Sequence, residues 1–332
     1  MRSRLTLEHY LNGIREGNKV VLSQAITLIE SQLDSDLIVA EKLIEAVLPM
    51  SGNAIRLGIT GSPGVGKSTF IESFGNFLTD QNKKVAVLAI DPSSTKTKGS
   101  ILGDKTRMDD LSKHPFAFIR PTASGSALGG VADRTRETIL LCEAAGFKII
   151  IIETVGVGQS EIAVRSMVDF FLLLMLAGAG DELQGIKKGI MEMADGIVIT
   201  KADHDNKIRA SQAHADFQHA LHLFQLADSG WTPQVLISSA FEKTGIQETW
   251  TMIEAHQTLI KSNGYFLKNR QDQNLLWFNE CYELSLRSTL TKNHIKLKKE
   301  LEKRIIENKI TPIQASKVLV EKALANLAKT ST

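Results

Sequence analysis

The run Gly61-Ser62-Pro63-Gly64-Val65-Gly66-Lys67-Ser68, followed by Thr69, has the G-x-x-x-x-G-K-[ST] spacing of a phosphate-binding loop. Its glycines let backbone N–H groups turn inward around phosphate oxygens. A helix opening at the lysine adds its partial positive charge. In such a loop Lys67 reaches the outer phosphates and the Ser68 hydroxyl ligates Mg²⁺. Magnesium also takes carboxylates, directly or through water. Asp91 follows the apolar run 85–90, Glu153 follows 148–152, and Asp104 lies in the polar stretch 92–108.

A second constellation concerns a base. Thr200-Lys201-Ala202-Asp203 follows the apolar run 197–200 and resembles the N-K-x-D element of guanine-binding loops, with threonine in place of the usual asparagine. Asp203 can accept two hydrogen bonds from guanine, at N1–H and at the exocyclic amine. Adenine would leave that carboxylate unpaired, and polar sites of this kind reject the wrong partner by ~10⁴-fold in good cases. The Lys201 stem would cover one face of the base. Ser239-Ala240-Phe241 resembles the S-A-x loop that supports a base through backbone N–H groups. For orienting water and adding positive charge, Gln159, Lys187, Lys188 and Arg165 are of suitable type. Each reads equally well as a solvated polar residue.

These residues need elements to hold them at one edge. Apolar runs at 55–60, 85–90, 116–120, 148–152, 170–176, 196–200 and 235–238 alternate with helical stretches at 67–78, 134–145, 186–193 and 207–225. That alternation predicts an α/β fold with a doubly wound, mostly parallel sheet. The aliphatic run 148–152 reads as a central strand covered on both faces. Residues 5–47 are amphipathic at helical spacing, and helical patterns recur at 250–267, 273–308 and 312–327. The expected division is a helical N-terminal arm at 1–52, a P-loop GTPase domain at 53–255 and a helical C-terminal arm at 256–332.

Composition narrows the class. The 332 residues carry 39 basic and 37 acidic side chains, so no global field favours nucleic acid or an anionic membrane. Two cysteines, Cys142 and Cys281, make no disulfide framework, and a reducing cytoplasm is expected. The most apolar stretch, 170–177, is far shorter than the ~20 residues of a membrane span. No signal peptide is read at the start. His214, His219 and His222 fall on one predicted helix with no cysteine or carboxylate to complete a metal set. The charged run 296–304 reads as an exposed helix face.

The longer motifs are more specific. G-S-P-G-V-G-K-S-T at 61–69, A-I-D-P-S-S at 89–94 and G-S-I-L-G-D-K-T-R-M at 99–108 stand in order. E-T-V-G-V-G-Q-S-E at 153–161 and G-D-E-L-Q-G-I-K-K-G-I at 180–190 follow. Over nearly its whole length the chain resembles the MeaB/ArgK family, GTPase chaperones associated with methylmalonyl-CoA mutase. The resemblance implies slow GTP hydrolysis, raised by a partner, and coupling of GTP/GDP state to an adenosylcobalamin-dependent acyl-CoA mutase. It implies magnesium at Ser68, Asp91, Asp104 and Glu153, switch segments at 92–108, 153–161 and 178–195, and a homodimer formed through the C-terminal helices. One segment departs: where the family reads R-P-S-P-S-S-G-T-L-G-G, this chain has R-P-T-A-S-G-S-A-L-G-G at 120–130. Two further readings stay open. One is a phosphotransferase linked to basic amino-acid transport. The other is a nickel-type metallochaperone GTPase, whose histidine-rich tail or C-x-x-C pair is missing here.

Overall fold

The computed structural model describes residues 4–91, 108–123, 132–154, 160–177, 188–221, 227–292 and 294–330. The chain divides into two compact units, Met1–Arg270 and Gln271–Thr332.

The first unit opens with α1 (Leu7–Arg15), α2 (Lys19–Ile29) and α3 (Asp34–Val47). Thr6 and Asn18 cap the first two, their side-chain oxygens accepting from His9 N and from Val20 and Val21 N. Seven strands follow: β1 (Ile55–Gly61), β2 (Val85–Asp91), β3 (Ala117–Ala123), β4 (Ile149–Thr154), β5 (Phe170–Leu176), β6 (Gly196–Thr200) and β7 (Gln234–Ile237). They form one sheet in the order β3-β2-β4-β1-β5-β6-β7. Every pairing is parallel. All residues of β4 are buried, as a strand covered on both faces requires.

The intervening helices are α4 (Lys67–Asp80), α5 (Asp109–Lys113), α6 (Ala132–Ala144), α7 (Ser160–Arg165), α8 (Lys188–Met193), α9 (Lys207–Leu221) and α10 (Ile246–Ser262). Two cores result. Phe70, Phe74 and Leu78 of α4 pack with Leu57, Ile59, Ile151 and Trp250 on one face of the sheet. Leu22, Ile26 and Leu43 of the first three helices join Ile139 and Val164 against Ala86, Leu88, Ile150 and Ile152 on the other. The N-terminal helices therefore share the sheet's own core. After β1 the chain moves to one side of the sheet, and after β4 to the other. The loops part between β1 and β4, where ligands of such sheets gather.

Charge fixes the opposite edge, where the strands begin. Asp169 Oδ2 accepts Arg56 N at 2.8 Å, and Asp195 Oδ2 accepts Phe171 N at 2.8 Å. Glu143 takes the Arg56 guanidinium at 2.9 and 3.0 Å. Arg270, in α11 (Tyr265–Lys292), holds Asp169 and Glu143 together.

The second unit comprises the rest of α11, then α12 (Ile295–Ile306) and α13 (Pro312–Thr330). The single helix read over 273–308 is two helices. His294 leaves helical geometry at φ −128° and ψ 22°, and its ring Nδ1 lies 3.2 Å from the Leu290 carbonyl. Leu301 of α12 and Ala315 and Ala323 of α13 are buried, and the two helices contact each other.

Candidate functional site

Because the strands are all parallel, their C-terminal ends share one edge, and both sequence constellations lie there. β1 ends at Gly61, and the loop 62–66 returns the chain into α4. A Cβ on Gly61 would sit 2.5 Å from the Leu174 carbonyl, so glycine lets β1 pass close to β5. Gly66, at φ 94°, is the N-cap of α4 in a left-handed conformation that glycine adopts without strain. No side chain caps this helix, which leaves its first-turn N–H groups for another acceptor. Pro63, Gly64 and Thr69 are exposed on the rim, whereas Val65 is fully buried beneath it.

Lys67 is buried, and its Nζ donates to the Gly61 and Ser62 carbonyls at 2.8 and 3.1 Å. Burial pulls its pKa down, and the nearby carboxylates Glu153 and Glu161 act against that. The Ser68 hydroxyl donates to Glu153 Oε1 at 3.3 Å. Glu153 lies within β4, opposite Ile59 of β1 and Ala89 of β2, rather than just past the strand as the sequence suggests. The ladder runs one residue further, to Thr154, whose hydroxyl donates to that of Thr60 at 2.8 Å. Asp91 likewise closes β2 instead of following it, in register with Ala123 of β3.

The second loop is bonded to the first. Thr200, the last residue of β6, donates its hydroxyl to the Val65 carbonyl at 2.7 Å, with the Met175 carbonyl at 3.1 Å. Lys201 reaches the Gly64 carbonyl through Nζ at 2.8 Å. Asp203 is half-buried, and its Oδ2 accepts from the Ser239 hydroxyl at 3.0 Å. Ser239 Oγ in turn accepts Glu242 N at 3.0 Å, which shapes the loop carrying Ala240 and Phe241. Backbone bonds between Ser239 and Thr244 close that loop.

Of the positions expected to contribute, one is placed elsewhere. Arg165 pairs with Asp195 at 3.2 Å on the opposite edge, because α7 carries the chain back to the start of β5. Lys188 is the first residue of α8. Asp104 and Gln159 lie outside the described residues, as do Lys187 and His222. The His214 ring lies 3.0 Å from the Val235 carbonyl and so serves packing of α9 on β7. Among the described residues no group of three or more His, Cys, Asp or Glu forms a metal cluster. One residue and one side-chain role went unread in the sequence. Glu161 is buried in the first turn of α7 beside Lys67. The Ser239 side chain steadies Asp203, where sequence reasoning assigned that loop only backbone contacts. An acidic residue opening a helix directly after a glycine-rich motif was the available signal for Glu161.

Comparison with known proteins agrees with this geometry. The family described as "Methylmalonyl Co-A mutase-associated GTPase MeaB" matches residues 22–294. "GTPase ArgK" of Escherichia coli is 48% identical over 283 residues, 85% of this chain and 86% of that protein. "Methylmalonic aciduria type A homolog, mitochondrial" of mouse is 39% identical over 328 residues, 95% of this chain and 79% of that protein. The crystal structure of a protein named "LAO/AO transport system kinase" superposes with TM-score 0.75 at 38% identity, covering 97% of this chain and 98% of its own. Among the described residues no helix is long and apolar enough to cross a membrane. With a phosphate loop bonded to a guanine-type loop and a family match spanning most of its length, the chain belongs to the MeaB family and is a GTPase.

Proposed function

We propose that this GTPase couples its GTP/GDP state to an adenosylcobalamin-dependent acyl-CoA mutase of the methylmalonyl-CoA mutase type, gating cofactor delivery and protecting the mutase. The description of the matching family and the printed name of the mouse relative support the partner. The observation that carries the nucleotide chemistry is the bonding of the two loops. Thr200 and Lys201 hold the carbonyls of Val65 and Gly64, so phosphate and base contacts belong to one rigid edge.

In this reading the amides of 61–69 wrap the phosphates, and Lys67 swings from the Gly61 and Ser62 carbonyls onto the outer phosphate oxygens. Asp203, steadied by Ser239, accepts guanine N1–H and the 2-amine. The Ser68 hydroxyl and Glu153 carboxylate meet at 3.3 Å, a pair of hard oxygen donors that fits Mg²⁺. Asp91 at the end of β2 and Asp104 complete the proposed set. When bound, the metal would neutralise charge on the transferring phosphoryl group. Gln159 and Lys188 are proposed for water orientation and added charge. Leu275, Phe278, Tyr282 and Leu286 are exposed at one-face spacing along α11, which supports a homodimer through the C-terminal helices. Cytoplasmic residence is proposed with it.

The test has two arms. The isolated protein should hydrolyse GTP slowly; turnover above ~10 s⁻¹ contradicts the reading. The GTP-loaded protein should co-purify with a cobalamin-bearing mutase that raises the rate. A phosphotransferase reading is favoured by one observation, that a solved structural neighbour is named a kinase. Labelled γ-phosphate appearing on protein or a small acceptor, rather than in water, would decide for it.

A further inference from the structure

Backbone strain in this molecule concentrates beside the base loop. Among the described residues, the non-glycine positions at positive φ are Asn82, Lys201, His204, Lys243 and Asn308. Asparagine and histidine visit that conformation more readily than other side chains. Three of the five, Lys201, His204 and Lys243, fall in the two loops that frame Asp203. Strained positions of this kind persist where the surroundings over-determine them, and they mark sites of function.

Three ties lock the two loops together across that strain. Ser239 holds Asp203, Lys207 pairs with Glu242 at 2.9 Å, and the ring of His204 lies 5.8 Å from that of Phe241 at 47°. Both rings are turned outward; Phe241 is 78% exposed. His204 follows Asp203 directly, and Phe241 follows Ser239 by two residues. The ring pair therefore joins the two loops that carry Asp203 and Ser239.

A hydrogen bond to an open carboxylate discriminates weakly, since water replaces any missing partner at little cost. The same bond shielded from water discriminates strongly, because a missing partner leaves a polar atom unsatisfied. We propose that the His204 and Phe241 rings form the outer wall of the purine pocket, packing on the 2-amino edge of the base and shielding its bonds to Asp203. They are specificity-determining residues in this reading, which rests on the guanine site proposed above.

Glycine at 204 separates the ring from the backbone. His204→Gly removes the imidazole and relieves the strain at φ 46°. A purely structural role predicts equal or greater thermal stability with base selection intact. The experiment is calorimetric titration of GDP and of IDP, which lacks the 2-amine, with magnesium, on wild type, His204→Gly and Phe241→Ala. Both variants should lose about tenfold in GDP affinity but less than about threefold in IDP affinity, with no fall in melting temperature for His204→Gly. A GDP/IDP ratio preserved in both variants overturns the wall while leaving the guanine site standing. Wild type that takes up neither nucleotide overturns the site and the wall together.

Discussion

The two edges of the sheet use charge in opposite ways. Where the strands begin, every cation in the cluster meets carboxylates: Arg56 meets Glu143, Arg270 meets both Asp169 and Glu143, and Arg165 meets Asp195. Asp169 and Glu143 have almost no exposed side chain there. Where the strands end, the two lysines of the site donate to backbone carbonyls, Lys67 to Gly61 and Ser62, and Lys201 to Gly64. A carbonyl satisfies a lysine's hydrogen-bonding need without cancelling its charge. At the first edge cations and carboxylates pair directly, whereas at the second Lys67 and Lys201 hold carbonyls, with the Glu153 and Glu161 carboxylates near Lys67. The same residue types thus make a clamp at one end and a binding site at the other.

The sharpest way to break that contrast is at Lys67. Lys67→Ala should abolish measurable magnesium-dependent GTP binding by calorimetry. Stability should fall by about 1–2 kcal/mol, since the lost partners are neutral carbonyls, that of Gly61 buried. Unchanged GTP affinity would remove Lys67 from the phosphate site. Arg270→Ala should do the reverse. It leaves the buried Asp169 and Glu143 carboxylates short of a counter-charge, which costs about 3–5 kcal/mol in urea unfolding. GDP affinity at the far edge should stay within about twofold. A large loss of affinity would show that the two edges are coupled.

The contrast also explains what was legible in the sequence. Strand positions were readable because buried parallel strands are unbroken aliphatic runs: β5 and β6 match the expected ranges 170–176 and 196–200 at both ends. The phosphate loop was readable because glycine and lysine at fixed spacing have one mechanical use. The clamp was not readable, since Arg56, Glu143, Asp169 and Arg270 are scattered along the chain and meet only through the fold. Arg165 illustrates the same limit: its type suited catalysis, but the short α7 delivers it to Asp195 on the wrong edge. The break in the C-terminal helix at His294 was hidden because its helical periodicity carries through the polar residues around it.

A third test uses pH at the edge where the strands begin. The His256 ring is buried edge-on between Phe170 and Trp231, at centroid distances of 4.9 and 5.2 Å. Burial, helped by the nearby Arg165 charge and opposed by Asp169, drops its pKa to about 4. The unfolded chain takes up this proton near pH 6.5, and the folded chain does so only near 4. Above pH 7 neither state is protonated and His256 has no linked effect. Between 6.5 and 4 the unfolded state is increasingly favoured, by about 3 kcal/mol at the lower end. Urea midpoints for wild type should fall across this window, and His256→Gln should flatten that part of the slope. An equal slope in both proteins would assign the acid sensitivity to other groups.

The smallest expected effect probes the joint between the two loops. Thr200→Val keeps the shape of the side chain and removes its hydroxyl. The Val65 carbonyl loses a donor at 2.7 Å, in a place that solvent barely reaches. Such a loss costs about 1–2 kcal/mol of stability. The phosphate loop is then freer before binding, and ordering it again should weaken GDP by a few-fold, on the order of 1 kcal/mol. The change should appear in the dissociation rate, since the charge that draws the nucleotide in is untouched. Thr200→Asn offers a longer donor to the same carbonyl and should restore most of the loss. If Thr200→Val releases GDP at the wild-type rate, the base and phosphate loops bind independently. The edge where the strands end would then consist of two adjacent sites instead of one.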